Sequence, residues 1–167
     1  MDPDRPPALE PAAFRAAVGR FATGVTVLSA RALDGPRLMT ANSFTSVSLQ
    51  PPLVLVCVDM SARFHQAVTE AGEWGVSVLA ADQEEVSRLF AHRPDLRVGI
   101  AVPHRPGRWT GAPLLDGAVG QLECRTVALH AAGDHTIVVG SVLAAAVTRE
   151  GIGPLLFYGG GYGLSER

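Results

Sequence analysis

The sequence contains few of the residues and motifs that identify common classes of site. It has two cysteines in 167 residues, Cys57 and Cys124, each inside an apolar run and without C-x-x-C spacing. A disulfide framework is therefore not needed to explain the fold, and two buried free thiols in a reducing cytoplasm are the simplest interpretation. A bridge between the two cysteines stays open at this point.

Concentrated charge and long apolar runs are also lacking. Fourteen basic and sixteen acidic residues give a net charge of -2, with no run of like charges. A nucleic-acid partner is not expected, because it would need a concentrated basic surface. The N-terminus lacks a signal-peptide pattern, and the run Leu53–Val58 is far shorter than the roughly 20 residues that cross a bilayer. We expect a soluble cytoplasmic protein with no membrane partner.

Several catalytic and cofactor motifs are missing. No Gly-x-Gly-x-x-Gly follows a first strand, and Gly159–Gly163, the nearest imitation, lies after the last predicted strand with no helix behind it. There is no Gly-x-Ser-x-Gly elbow to present a nucleophile. The five histidines show no metal-ligand spacing. Dinucleotide binding of the Rossmann type, serine hydrolysis and a metal site are therefore not predicted.

The helix and strand signals that are present predict a mainly β domain. Residues 1–10 hold three prolines and predict a disordered tail, and residues 11–167 predict a single domain. Three short helices are predicted: Pro11–Phe21, one that begins near Ser61 as its N-cap, and one capped by Asp82 with Glu85.

The strand signals are more numerous than the helix signals. Leu53–Val58 has no polar alternation, which predicts a strand buried on both faces. Residues 91–111 are predicted to be irregular, and Gly159–Gly163 to end the chain loosely. The other predicted strands are Val25–Ser29 with the Leu38 segment as a hairpin, Trp74–Leu79, Ala118–His130 with Thr136–Thr148 as a second hairpin, and Leu155–Tyr158. Six or more strands with three short helices indicate a closed or nearly closed antiparallel barrel.

One polar stretch stands out between apolar segments. Seven of the nine residues from Thr40 to Ser48 are small, hydroxylated or amide-bearing. Buried polar groups need hydrogen-bond partners, and a solvent loop would not carry Phe44, Val47 and Leu49. The stretch predicts a strand edge that offers hydroxyls, an amide and backbone groups to a polar ring system. An ordinary polar strand is the alternative, just as Asp134-His135 alone would be ordinary turn chemistry.

Four strings in order resemble one protein family. They are Phe21–Val27, Thr40–Ser48, Pro51–Val54 and Gly133–His135. Together they resemble the short-chain flavin reductases, which supply reduced flavin to two-component monooxygenases, and the similarity runs from about Phe14 to Leu164. The resemblance implies a Greek-key antiparallel split β-barrel that forms a homodimer, with flavin near the subunit interface.

The resemblance also implies roles for individual residues. The isoalloxazine would be lined by Thr40, Ala41, Asn42 and Ser43, with Ser46 close by. The ribityl chain and phosphate would be held by Cys57, Val58, Asp59, Ser61 and Arg63. The flavin tail would be flanked by Leu89, Phe90 and Ala91. The turn Gly133, Asp134 and His135 would lie where the nicotinamide stacks, with His135 as the catalytic candidate. Tyr162 would contact the cofactor, in a segment where the family usually has a basic residue and this chain has glycines.

The function so implied is hydride transfer from NADH or NADPH to FMN or FAD, followed by release of reduced flavin to a partner monooxygenase. Flavin and nicotinamide carry this chemistry themselves, so the protein needs to position rings and needs no nucleophile. Two alternatives stay open: a non-catalytic flavin-binding electron carrier, and an FMN-dependent oxidoreductase with its own small organic substrate. The sequence does not choose between the two flavins or the two nicotinamides, and it does not identify the oxygenase.

Overall fold

The computed structural model describes residues 7–92 and 102–163. Within these ranges three helices occur: α1 (Pro11–Val18), α2 (Arg63–Ala71) and α3 (Glu84–His92). The strands are β1 (Thr23–Gly24), β2 (Thr26–Ala30), β3 (Arg37–Ala41), β4 (Thr45–Leu49), β5 (Pro52–Asp59), β6 (Glu73–Val78), β7 (His104–Pro106), β8 (Pro113–Leu115), β9 (Gly120–Ala132), β10 (His135–Val147), β11 (Leu156–Tyr158) and β12 (Gly161–Tyr162). The fold is mainly β, as predicted.

A seven-stranded antiparallel sheet organises the described residues, in the order β3-β2-β6-β9-β10-β5-β4. One core cluster forms where α2 packs on this sheet, with Phe64, Val68 and Trp74 fully buried. A second cluster joins β2 and β3 to α3 through Val27, Leu38 and Phe90. In both clusters a helix packs against strands that end beside the polar stretch Thr40–Ser48.

The sheet is strongly curled, because its two edge strands are consecutive in the chain. β3 and β4 lie at opposite edges, yet only residues 42–44 separate them. Four Cα steps from residue 41 to residue 45 reach at most about 15 Å. A flat sheet of seven strands would separate its edges by about 29 Å. The two edges therefore approach each other at residues 42–44.

β5 differs from its prediction. Val54, Val56 and Val58 are buried, but the alternate residues Leu53, Leu55 and Cys57 are only half-buried. The expected burial on both faces is thus wrong for the single chain, because only one face of β5 packs on the core. Cys57 is correspondingly a half-buried free thiol, whereas Cys124 is a buried one.

The predicted helix Pro11–Phe21 is too long. α1 ends at Val18, where the Gly19 amide already bonds back to the Arg15 carbonyl. The apolar residues that predicted a buried face are exposed, with Phe14 54% and Phe21 77% accessible, and no residue of α1 is buried. Apolar periodicity located this helix but did not identify what it packs against.

The two predicted helix caps are wrong. The N-cap of α2 is Ala62, without a side-chain cap bond, because the Ser61 hydroxyl donates to the Asp59 carboxylate instead. The Asp82 carboxylate accepts from Arg149 at 3.0 and 2.8 Å rather than capping α3. In both cases a contact outside the helix takes the side chain that the sequence pattern assigned to the cap.

The hairpins are the most accurately predicted elements. β9 and β10 form the expected long hairpin around Gly133-Asp134, and β2 pairs with β3.

The expected loose end is wrong through residue 163, since Gly161–Tyr162 pairs with β11. The segment 91–111 is not wholly irregular, because His104–Pro106 pairs with β8; residues 93–101 lie outside the described ranges. Of the predicted tail, residues 1–6 also lie outside them. None of the helices in the described ranges is long and apolar enough to cross a membrane.

Candidate functional site

A cavity of about 180 Å³ opens where the end of β3 meets α3 and the β11–β12 hairpin. It is lined by Val25, Thr40, Ala41, Asn42, Ala91, Phe157 and Tyr162. Phe157 and Tyr162 meet edge to face, with ring centres 5.3 Å apart and planes inclined at 70°. The cavity thus has aromatic and small apolar walls beside an amide, which suits a planar ring with polar edges.

A chain of hydrogen bonds fixes the wall of this cavity. The Thr40 hydroxyl donates to the Ser87 carbonyl at 2.7 Å, and the Ser87 hydroxyl bonds to the Tyr162 hydroxyl at 2.8 Å. The Arg88 guanidinium lies 4.8 Å from the centre of the Tyr162 ring, a cation–π distance. Three separate segments, β3, α3 and β12, are therefore locked together, and the Thr40 hydroxyl is used by the protein itself.

Asn42 and Ser43 differ in how their polar groups are used. The Ser43 hydroxyl donates to the Cys57 carbonyl at 3.0 Å and accepts from the Cys57 amide at 3.1 Å. This pair of bonds joins the end of β3 to β5 across the approach of the two sheet edges. Asn42 is exposed, lines the cavity, and makes no side-chain hydrogen bond within residues 7–92 and 102–163. Its amide is available to a ligand.

A second polar group forms where β5 ends beside the β9–β10 turn. His135 lies directly opposite Asp59 in the β5–β10 register, and the Met60 amide donates to the Asp134 carbonyl at 3.0 Å. The Ser61 amide and hydroxyl both donate to the Asp59 carboxylate at 2.7 Å. Sheet register thus brings together residues about 75 positions apart.

The charges of this second group follow from its hydrogen bonds. The hydroxyl and the amide of Ser61 lower the pKa of Asp59 below its usual range. The contact with the His135 ring, 2.7 Å from Nδ1 to the carboxylate, lowers the pKa of Asp134. Both carboxylates are therefore ionised at neutral pH, and Asp134 orients the imidazole of His135.

The flavin reductase like domain model matches residues 18–164. The chain is 46% identical over 156 residues to the FMN reductase (NADH) SmoA of Agrobacterium fabrum, covering 92% of this chain and 86% of that one. The chain belongs to the flavin reductase family.

Solved structures of this family superpose closely. The Streptomyces globisporus NADH:FAD oxidoreductase SgcE6, in complex with NAD and FAD fragments, gives a TM-score of 0.86 at 42% identity and covers 94% of this chain and 95% of its own. BorF, the flavin reductase component of a bacterial two-component tryptophan halogenase, gives 0.83 at 43% identity and covers 92% and 96%.

Most sequence-predicted site residues of this flavin reductase domain lie along one strip. This strip begins at the end of β3, crosses to β5 through the bonds between Ser43 and Cys57, and ends at Asp59 and His135. Other predicted residues are placed differently: Ser46 is exposed on β4, Val58 is fully buried, and Phe90 packs in the second core cluster. Arg63 is exposed at the first position of α2. Within the described residues no three of His, Cys, Asp and Glu are grouped to hold a metal ion.

The sequence analysis missed four residues of the cavity wall and its supports. Val25 and Phe157 line the cavity, Ser87 joins Thr40 to Tyr162, and Arg88 covers the Tyr162 ring. Ser87 and Arg88 lie on α3, and the sequence pattern of this helix identified only its apolar face. Only the pairing of β11 with β12 reveals that Phe157 and Tyr162 share a face.

Proposed function

We propose that this protein is an NADH-dependent flavin reductase that reduces FMN or FAD and passes reduced flavin to a partner monooxygenase. The observation that carries the proposal is the cavity beside Asn42, which combines aromatic walls with an unused amide in a chain of this family. The monooxygenase partner rests on relatives such as the 4-hydroxyphenylacetate 3-monooxygenase reductase component of Thermus thermophilus, 43% identical over 150 residues. A cytoplasmic location remains a prediction of the sequence.

The residues of the cavity fit an isoalloxazine. The Asn42 amide can donate to or accept from a polar ring edge, while Ala41 leaves room for the ring and Tyr162 packs beside it. When bound, the flavin supplies the hydride acceptor and the nicotinamide supplies the donor. The chain's own task is to orient both rings and to exclude water, and Ser87 helps by holding Thr40 and Tyr162 in place.

The start of α2 is proposed to hold the flavin phosphate. Arg63 is the first residue of this nine-residue helix, whose N-terminal end carries the positive end of the helix dipole. A phosphate there would meet both a guanidinium and the amide end of a helix. Asp59 keeps Ser61 oriented beside the same helix start.

His135 is proposed to position the nicotinamide. Asp134 holds its Nδ1, which leaves Nε2 free to meet a carboxamide or phosphate oxygen. The ring is partly exposed at the β9–β10 turn, on the strand beside β5. Hydrogen bonding to the nicotinamide would fix its distance from the flavin without any covalent role for the histidine.

We further propose that residues 11–167 form a single Greek-key split barrel. Support comes from the short connection between β3 and β4 and from the two bonds between Ser43 and Cys57, which draw the sheet edges together. The strand order also brings the distant strands β5 and β10 side by side.

The homodimer is proposed from the outer face of β5 and β10. Leu55 lies opposite Val139 and Cys57 opposite Ile137, and all four side chains are only half-buried. An apolar sheet face of this kind is typical of a surface that another chain covers. A second copy there would also explain why β5 reads as apolar on both faces.

Light scattering tests this assembly. The wild-type protein is expected to have twice the chain mass, and Val139→Lys is expected to halve it at micromolar concentration. Val147→Lys is the matched control, because that valine is already 78% exposed at the far end of β10. A monomeric wild-type protein would contradict the homodimer.

A matrix of FMN and FAD against NADH and NADPH tests the activity. We expect nicotinamide oxidation to depend on added flavin, with NADH preferred, and the purified protein to be mostly colourless. A yellow protein that oxidises no nicotinamide would support the electron carrier. Oxidation that needs an organic substrate but no added flavin would support the FMN-dependent oxidoreductase with its own substrate.

A further inference from the structure

A second cavity lies behind the β11–β12 hairpin. Phe157 and Tyr158 are consecutive in β11, so their side chains point to opposite faces of the hairpin. Phe157 lines the candidate flavin cavity, whereas Tyr158 lines another of about 360 Å³ between the hairpin and the end of α1. Its walls also include Arg15, Gly19, Arg20, Gly159 and Gly160.

Both charged residues of this second cavity are arginines. No carboxylate lines it, and within residues 7–92 and 102–163 no ion pair involves Arg15 or Arg20. By contrast, Arg88, Arg125 and Arg149, elsewhere in the chain, each pair with a nearby acid. Two unpaired guanidinium groups facing one cavity make it electropositive in a chain whose net charge is -2.

Contacts hold the chain after α1 and the Arg20 side chain in place beside the hairpin. The Gly159 amide donates to the Gly19 carbonyl at 2.9 Å, which holds the chain after α1 against the hairpin. The Arg20 guanidinium donates to the Tyr158 hydroxyl at 3.3 Å. A guanidinium has five N–H donors, so most of those of Arg20 remain available to a ligand.

The glycine turn leaves its backbone open to this cavity. Gly159 and Gly160 have φ values of 60° and 84°, which explains why both are glycine. A Cβ added to either would meet nothing within 4 Å, so the space beside the turn is empty of protein. A ligand can therefore approach the turn closely in the cavity that Arg15 and Arg20 also line.

We propose that this cavity binds a phosphate group, held by Arg15 and Arg20 against the Gly159-Gly160 turn. Guanidinium groups match the oxygens of phosphate through paired, charge-assisted hydrogen bonds. The site is separate from the candidate flavin cavity and does not depend on the proposed reductase activity. Two sources share the chemistry: the diphosphate of a nucleotide, and free inorganic phosphate.

Calorimetric titration of the full chain with ADP, pyrophosphate and inorganic phosphate tests the proposal. We expect Arg15→Gln and Arg20→Gln each to weaken binding about tenfold or more, since each removes a charged hydrogen bond. Arg125→Gln is the matched control, because that arginine pairs with Glu73 on another face and should leave binding unchanged. Thermal melting checks that each variant is folded. Should Arg20→Gln not fold, Arg15→Gln carries the test, since the Arg15 side chain makes no hydrogen bond within the described ranges.

The ligands then separate the two sources. Binding of ADP and pyrophosphate that inorganic phosphate does not displace would assign a nucleotide diphosphate, and displacement by inorganic phosphate would assign a single phosphate. Either result, when lost in both arginine variants, supports the site. Absence of binding by all three ligands overturns it. Binding that both arginine variants retain in full also overturns the proposal. The Arg15 side chain would then only stabilise α1, by interacting with the negative, carbonyl end of the helix dipole.

Discussion

Two polar clusters, a closed one around Glu123 and an open one around Asn42, differ in whether the protein's own groups fill their hydrogen bonds. Glu123 is 5% exposed, and its carboxylate accepts from the amides of Arg108, Trp109 and Thr110 and from the Thr110 hydroxyl at 2.8 to 3.0 Å. Asn42, at the candidate flavin cavity, has no such partner within the described ranges. The closed cluster at Glu123 therefore holds a loop in place, whereas the open one at Asn42 is free to bind a ligand.

The largest effect is expected from opening the closed cluster. Glu123→Ala leaves the buried amide and hydroxyl of Thr110, and the amides of Arg108 and Trp109, without an acceptor, which should cost about 3 kcal/mol of unfolding free energy. Flavin affinity of the folded fraction should not change. Denaturant unfolding measures the first quantity and flavin titration the second.

Glu73→Ala is the control for that variant, since Glu73 pairs with Arg125 at the surface, 2.9 Å apart, and should cost well under about 1 kcal/mol. Equal losses from the two substitutions would contradict the distinction between a closed cluster and a surface pair.

The closed cluster should also impose a pH dependence on stability. Burial alone raises the pKa of Glu123, but the bonds from Thr110, Trp109 and Arg108 outweigh burial and lower it. The carboxylate therefore favours the folded state above its unfolded pKa of about 4.3. That contribution is lost as the pH falls below this value through the lower folded-state pKa.

Unfolding of the wild-type protein and of Glu123→Gln at a series of pH values measures this dependence. The wild-type protein should lose more stability than the variant between about pH 5 and pH 3. Parallel pH curves would show that Glu123 does not titrate differently in the two states.

A smaller effect is expected where the open cluster is joined to the sheet. Ser43→Ala removes the two bonds to Cys57 that link the ends of β3 and β5. We expect a loss of about 1 kcal/mol of unfolding free energy and a modest loss of flavin affinity, because Asn42 is displaced with its neighbour. Thermal melting and flavin titration measure both; Ser48→Ala is the control, because within the described ranges the hydroxyl of this half-buried serine accepts only from the nearby Gln50 amide and joins no second strand. Unchanged stability would show that the sheet edges meet without this serine.

The same comparison explains what the sequence could reveal. The β9–β10 hairpin was predictable because Gly133-Asp134 is a two-residue turn between alternating strands, so the signal is local. Asn42 was predictable as a polar residue among apolar ones. Ser87 was not, since it joins the cavity wall through hydrogen bonds to Thr40 and Tyr162, 47 and 75 positions away. Phe157 was not, since its place in the wall depends on the pairing of β11 with β12 and β1.

The outer face of β5 shows a different limit. Leu53, Leu55 and Cys57 are apolar, and the sequence alone predicted that they are buried. Hydrophobicity indicates that a face is covered but does not identify the covering chain. In the single chain that face is half-exposed, and the proposed second copy would cover it.

Asn42→Ala is expected to have an effect of similar size to Ser43→Ala, but on flavin affinity alone. The amide's proposed partner is the ligand, so flavin affinity should fall several-fold, or by about 1 kcal/mol, while thermal stability stays unchanged. Fluorescence titration and melting measure the two quantities. Asn42→Asp serves as a control, because it keeps an acceptor but removes the donor. Lost stability with normal flavin affinity would make Asn42 a structural residue and refute its assignment to the open cluster.

The smallest effect is expected from His135→Ala, at the far end of the same strip. His135 lies opposite Asp59 on β10 and does not line the cavity beside Asn42, so its loss should leave flavin affinity nearly intact. The apparent Michaelis constant for NADH should rise a few-fold, because one hydrogen bond that orients the nicotinamide is lost. Steady-state kinetics with each substrate varied separately measures both. Asp134→Asn, which weakens the hold on the imidazole without removing it, should give a smaller change in the same constant. If His135→Ala changes only the flavin constant, the histidine belongs with Asn42 at the flavin, and the nicotinamide must be oriented by other groups.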